Sequence, residues 1–248
     1  MVRQRPASDS TRGRIGEMLS SAAFRMARLA YSVSQTICRC IFAYATHRHI
    51  LHPERVRRPG PWLLATNHIS HFDPLLLTSV VPGQIDWMAM ADLFKPPLLG
   101  AWLCAADTFP VQRFTADRGA IRQAIKRLNN GKVVGMFPEG GLRDGAASVL
   151  GGAALRRGIR AVAELGRAPV IPGVILGSDR LYRSANWKPA RRVPIWVGFG
   201  EPLDGAGEVG LEGRLANALR SLAEEMRTYF RLTDSDFPKP PRERMQGV

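Results

Sequence analysis

The sequence predicts an α/β fold: a mixed or mostly parallel sheet flanked by helices and preceded by one long amphipathic helix. Two observations lead there. From residue 62 onward, short apolar runs bounded by turn residues alternate with longer segments of helical period, the pattern of a sheet covered on both faces. Before that, a single segment keeps the helical period for some 27 residues, from Met18 to Tyr44. With 248 residues, 45% of them hydrophobic and 23% charged, the chain can bury the core such a sheet needs, and collagen-like, coiled-coil and wholly disordered chains are excluded.

Residues 1–17 read as a flexible basic start. The first 60 residues hold eleven Arg, no Lys and only three acids (Asp9, Glu17 and Glu54), so eight of the fourteen net positive charges lie in the first quarter of the chain. An anionic partner follows from that excess: a membrane face, a nucleic acid or a phosphorylated molecule.

Residues 18–58 form the predicted helical segment. Met18, Ala22, Met26, Leu29, Val33, Ile37, Ile41 and Tyr44 recur at steps of three and four, with Arg28, Ser32, Gln35 and Arg39 toward the opposite side. Such a stripe either packs on the body of the protein or lies in a membrane interface with Arg toward the headgroups, and different turns can do each. The segment is read as membrane-associating, with the apolar stretch Leu93 to Leu103 as either a second contact or ordinary core. Arg25, Arg28 and Arg39 interrupt any run long enough to span a bilayer, and Met1 to Arg14 lacks the apolar core of a secretory signal. Cys38, Cys40 and Cys104 make no disulfide framework. The expected location is therefore the cytoplasmic face of a membrane, peripheral or monotopic.

Residues 59–232 carry the α/β pattern. Trp62 to Thr66, Ile85 to Met90, Val133 to Phe137, Val170 to Leu176 and Val193 to Phe199 read as strands. Asp117 to Asn130, stopped by Gly131, and Ala153 to Leu165 and Leu211 to Phe230 read as helices. Residues 233–248, with Pro238, Pro240 and Pro241, read as a disordered tail.

The chemistry concentrates just after the first of these strands, in Asn67-His68-Ile69-Ser70-His71-Phe72-Asp73-Pro74. Open α/β sheets place their sites at this carboxyl edge. A histidine there accepts a proton near neutral pH, and a carboxylate on its other ring nitrogen fixes the tautomer. Asp73 before Pro74 equally suits a helix N-cap. A second cluster, Phe137-Pro138-Glu139-Gly140-Gly141-Leu142-Arg143, follows the third strand, and its glycines leave backbone N–H groups free to meet an anion. Thr108 to Phe114 delivers Arg113, and Pro169 to Val174 places Pro172 inside a strand, which suits an edge or a kink.

In this order and spacing, NHxxxxD, FPVxR, FPEG and PVIPxxI resemble the four-block pattern of the glycerophosphate and lysophosphatidate acyltransferase family, over roughly Trp62 to Gly200. The resemblance extends through the run Leu155 to Ala161. It implies that His68 is the general base and Asp73 its support, and that a glycerol hydroxyl attacks an acyl thioester of coenzyme A or acyl carrier protein without metal or cofactor. It further implies that Arg113, Glu139 and Gly140 bind the acceptor's phosphate and glycerol, with Asn67, Phe137, Pro138 and Arg143 beside them, and that Pro172 belongs to the acyl-donor side. The acceptor is expected to be a lysophosphatidate-like lysophospholipid of phospholipid biosynthesis. Two departures stand out: Gly141-Leu142-Arg143 replaces the usual Thr-Arg-Ser, which displaces the Arg by one place, and Gln112 stands where relatives have Asp.

A hydrolytic (thioesterase or lipase-like) or non-catalytic lipid-binding protein at the membrane surface is the alternative, although no Gly-x-Ser-x-Gly elbow is present. A nucleic-acid binder lacks any recognition motif. The GxGxxG at Gly205 to Gly210 opens no βαβ unit, and His47, His49 and His52 suit a basic segment better than a metal site.

Overall fold

The computed structural model describes residues 28–112, 118–187, 192–204 and 210–238. Met18, Ala22 and Met26 of the stripe, Arg113, the start of the GxGxxG loop and the tail from 239 onward lie outside the described residues.

Seven strands form one sheet in the order β1-β7-β6-β2-β5-β3-β4. They are β1 (Thr46–Leu51), β2 (Trp62–Thr66), β3 (Ile85–Met90), β4 (Phe109–Val111), β5 (Val133–Met136), β6 (Val170–Leu176) and β7 (Val193–Phe199). Five neighbouring pairs are parallel and β6 pairs antiparallel with β7, so the sheet is mixed. The helices are α1 (28–45), α2 (Asp73–Val80), α3 (Pro97–Ala105), α4 (Arg118–Asn129), α5 (Gly158–Gly166) and α6 (Leu211–Phe230). All five predicted strands and the three predicted helices are present. β1 and β4 are additional: His47 and His49 lie on β1, an edge strand paired with β7, so the sheet begins before residue 59. α5 starts at Gly158 because the two preceding turns are 3₁₀ and the chain then hands Arg156 N–H to Pro138 O.

β2 shows why the sheet is covered on both sides. All five of its residues are buried. Trp62 and Leu64 join the cluster that holds Cys38, Phe42, Leu76 and Leu77 of α1 and α2, whereas Leu63 and Ala65 join the one that holds Ala124, Ile159 and Leu219 of α4, α5 and α6. Strand alternation thus divides one apolar run between two cores. Pro172 sits on β6, an interior strand, which corrects the edge reading. It is tolerated because its backbone faces the point where β7 has run out, and Gly200 N–H donates to its carbonyl at 2.8 Å.

α1 settles which face goes inward. Tyr31, Ser34, Gln35, Cys38, Phe42 and Ala45 are buried, while Leu29, Val33, Ile37, Ile41 and Tyr44 are 43 to 58% exposed. The predicted stripe points away from the body, and Gln35, expected opposite it and polar, is internal. Its amide donates to Thr78 O at 3.1 Å and Val81 O at 2.9 Å, meeting carbonyls that the end of α2 leaves open. Tyr31 and Trp102 add two anchors, through Ile85 N–H to Tyr31 Oη at 2.9 Å and Trp102 Nε1 to Ser34 Oγ at 2.8 Å. The chain after α6 is also more ordered than expected at its start: Thr233 and Asp236 cap each other in a 3₁₀ turn, and Arg180 pairs with Asp236 at 2.9 Å. Among the described residues, no helix is long and apolar enough to cross a membrane.

Because Gln35 is the buried link, Gln35→Ala is expected to lower stability by about 1–3 kcal/mol, through two buried carbonyls left without a donor. Ile37→Ser, on the exposed stripe, should change it by no more than about 0.5 kcal/mol. Urea unfolding of the two variants checks the ranking, and the opposite order would mean that the helix packs through its stripe.

Candidate active site

β2 is the central strand, with β6 on one side and β5 on the other, and the register Ala65↔Met136 and Thr66↔Gly173 brings all three carboxyl ends together. Segments 67–73, 137–143 and 177–182 therefore leave the sheet side by side.

Asp73 is completely buried and accepts four hydrogen bonds. Oδ2 takes His68 Nδ1 at 2.9 Å, Ile69 N–H at 2.8 Å and Ser70 N–H at 2.9 Å. Oδ1 takes the Ser178 hydroxyl at 2.5 Å. The carboxylate points back into its own loop and caps nothing in α2, whose first residues receive no side-chain bond, so the N-cap reading is corrected. An ionised carboxylate only accepts, so Nδ1 carries the proton and Nε2 keeps a lone pair.

The loop after β5 holds His68 from three sides. Glu139 Oε2 accepts His68 N–H at 2.7 Å, and Arg143 N–H donates to His68 O at 2.8 Å. The Phe137 ring stacks on the imidazole at 3.9 Å between centroids, and Trp87 stacks behind Phe137 at 5.3 Å. Gly135 makes the second stack possible, because a Cβ there would lie 2.5 Å from the Trp87 ring. The other oxygen of Glu139 accepts Val149 N–H at 2.7 Å.

Around the imidazole opens a cavity of about 1060 Å³. Trp87, Met88, Met90, Leu99, Trp102 and Leu103 give it a long apolar wall from β3 and α3, and Tyr31 and Cys38 close it from α1. Of the residues singled out in the sequence, His68, Phe137, Pro138 and Gly140 line it. Five other expected contacts are placed elsewhere or not described. Asn67 is buried and locks β2 to β6, its amide nitrogen donating to Ile175 O at 3.0 Å and its oxygen accepting Ile175 N–H at 2.8 Å. Glu139 holds backbone, and Pro172 packs against Gly200. Arg143 is exposed and outside the lining, and Arg113 is not among the described residues.

His71 also lines the cavity, but its ring Nδ1 lies 2.5 Å from Tyr182 Oη, which also accepts the His71 backbone N–H at 2.9 Å. Sequence reasoning missed Ser178, Tyr182 and Trp87. Polar residues just past the end of a strand, as in Gly177-Ser178-Asp179, were the available signal for the first. Among the described residues, no group of three potential ligands could hold a metal.

Fold and site together define a class: an α/β protein whose buried His–Asp pair opens, at the carboxyl edge of the sheet, onto a cavity with a long apolar wall. Residues 47–176, more than half of the chain, match the family model described as Acyltransferase, and the chain belongs to that family. It is 29% identical over 129 residues to a 1-acyl-sn-glycerol-3-phosphate acyltransferase of Bacillus subtilis, covering 52% of this chain and 62% of that one. A protein of the same name from Streptococcus pneumoniae is 24% identical over 177 residues, covering 71% and 61%. The chain thus spans about three fifths of the length of the curated relatives it matches. The crystal structure of the 1-acyl-sn-glycerophosphate (LPA) acyltransferase, PlsC, from Thermotoga maritima shares the fold, with a TM-score of 0.64 over 86% of this chain and 88% of that one, at 17% identity.

Burial pushes the Glu139 carboxyl above the ordinary glutamate range, and the bonds from Val149 N–H, His68 N–H and Ser148 offset only part of this. In the window between the two values the folded protein keeps a proton that the unfolded chain has released, so this contribution to stability falls as pH rises through it. Glu139→Gln should flatten that slope, as urea unfolding across the weakly acidic range will read. Glu139→Ala should cost about 1–3 kcal/mol, because two buried N–H donors lose their acceptor.

Proposed function

We propose that this chain transfers a fatty acyl group from an acyl-CoA or acyl-ACP thioester to the hydroxyl of a lysophosphatidate-like acceptor. The observation that carries this reading is the His68–Asp73 pair at 2.9 Å with the imidazole facing the cavity. His68 Nε2 takes the proton of the acceptor hydroxyl as its oxygen bonds to the thioester carbon. Asp73, fixed by four donors, stabilises the imidazolium that results. Collapse of the tetrahedral species breaks the carbon–sulfur bond, and the proton passes from Nε2 to the departing thiolate. The apolar wall from β3 and α3 suits an acyl chain, which needs burial and no hydrogen bonds.

The acceptor is a lipid that resides in a membrane, so the site would work at a membrane surface. The exposed stripe of α1 and Leu98 of α3, 88% exposed, belong to elements joined by the Trp102–Ser34 bond. They support a peripheral or monotopic seat on an anionic lipid face, which the basic first quarter of the chain would favour. The cytoplasmic face suits three free cysteines. In this reading residues 18–58 supply the membrane contact and 59–232 the chemistry.

Release of free thiol from acyl-coenzyme A, followed with and without a panel of lysolipids, tests the reaction; release that ignores the acceptor would make the protein a hydrolase. His68→Ala should reduce transfer by at least about 10²-fold, the low end of general-base contributions. Asp73→Asn should be comparably severe through the wrong tautomer, whereas His71→Ala should retain most activity. Flotation with anionic liposomes should carry the protein upward at low salt and retain a smaller fraction at high salt, because screening removes the charge contribution and leaves the apolar one.

A further inference from the structure

The run Leu155 to Ala161 belongs to the family resemblance without a role of its own, and it borders the catalytic cavity. Among the described residues, the cavity lining contains no Asp, Glu or Lys, and its permanently charged side chains are Arg156 and Arg157. Arg156 is pinned to the loop that orients His68, its N–H donating to Pro138 O at 3.0 Å. Its side chain then runs across Gly140, where a Cβ would lie 2.2 Å from Arg156 Nε and 2.5 Å from Cδ. With φ at +72°, Gly140 serves both the turn and the passage of the guanidinium. Glu139 is engaged by the His68 and Val149 N–H groups, and Glu164 by Arg160 at 2.7 Å. Among the described residues, neither Arg156 nor Arg157 has a side-chain hydrogen bond or ion pair.

An unpaired guanidinium fork at the edge of an acid-free cavity matches the oxygens of a phosphate. We infer that Arg156, with Arg157 beside it, binds the phosphate of a substrate in the catalytic cavity, a position that Arg143 does not occupy. This inference rests on the acyl-transfer reading. The phosphate can come from the acceptor's headgroup or from the phosphopantetheine arm of the donor, and the chemistry that recognises it is the same.

The experiment compares Arg156→Gln, Arg156→Lys and Arg160→Gln, the last removing one charge from neighbouring α5, outside the lining. The acceptor arm sets lysophosphatidate against monoacylglycerol, and the donor arm sets acyl-coenzyme A against an acyl-N-acetylcysteamine thioester, which has no phosphate. Arg156→Gln should raise KM for a phosphorylated substrate about tenfold or more, with kcat little changed, KM for its phosphate-free counterpart unmoved and partial rescue by Lys. The arm that responds names the source of the phosphate. An equal change on phosphorylated and phosphate-free substrates, or none on either, overturns the inference. Quenching of tryptophan fluorescence by lysophosphatidate and by monoacylglycerol reads binding without turnover. If transfer is absent but the preference for the phosphorylated lipid exists and disappears in Arg156→Gln, the acyl-transfer reading fails and the phosphate site stands; if wild type shows no preference for either phosphorylated substrate, the site fails.

Discussion

The fully buried Asp73 carboxylate is the interaction around which the rest is arranged. A charge removed from water is tolerated only when its lone pairs are met, and here the donors come from the loop after β2 and from Ser178, two residues past β6. An exposed pair such as Lys95–Asp92 is screened by water and contributes little, whereas losing the partner of a buried charge is strongly destabilising. The position of α2, the bend of segment 67–72 and the rotation of the imidazole are therefore one problem with one solution. Any movement of β6 relative to β2 would pull Ser178 from the carboxylate and Ile175 from Asn67 at once.

The loop after β5 solves a second problem with the same few residues. Its acid and a backbone N–H three residues beyond the first glycine hold both peptide groups of His68, and its aromatic ring covers one face of the imidazole. Glu139, expected from the sequence to meet the acceptor, accepts the backbone N–H groups of His68 and Val149 and so braces the loop that carries the imidazole. The one-place displacement of the third-block Arg fits this arrangement: position 143 supplies its N–H inward and turns its side chain outward.

Several of these relations were legible because they are local. His68 and Asp73 are five residues apart in one loop, and strand-to-helix alternation alone places that loop at a sheet edge. What could not be read is long-range. Asn67 meets Ile175 and Asp73 meets Ser178 across more than a hundred residues, and nothing in their spacing announces it. β1 was hidden because Thr-His-Arg-His-Ile-Leu lacks clean alternation and gains its order from pairing with β7. α1 shows a different limit: periodicity reveals an apolar stripe, but this helix has a second, mixed face of Tyr31, Gln35, Cys38 and Phe42 that fits the body better. A helical wheel gives the spacing of a face and not its direction.

α1 passes into β1 without a single intervening residue: Ala45 ends the helix and Thr46 begins the strand. There is consequently no joint between the outermost apolar surface and the sheet that carries the imidazole. The exposed face of α1 thus leads straight into the edge strand of the sheet, whose central strand β2 ends at the His68 loop. If α1 sets the attitude of the molecule on a bilayer, it also sets the depth and heading of the His68 imidazole.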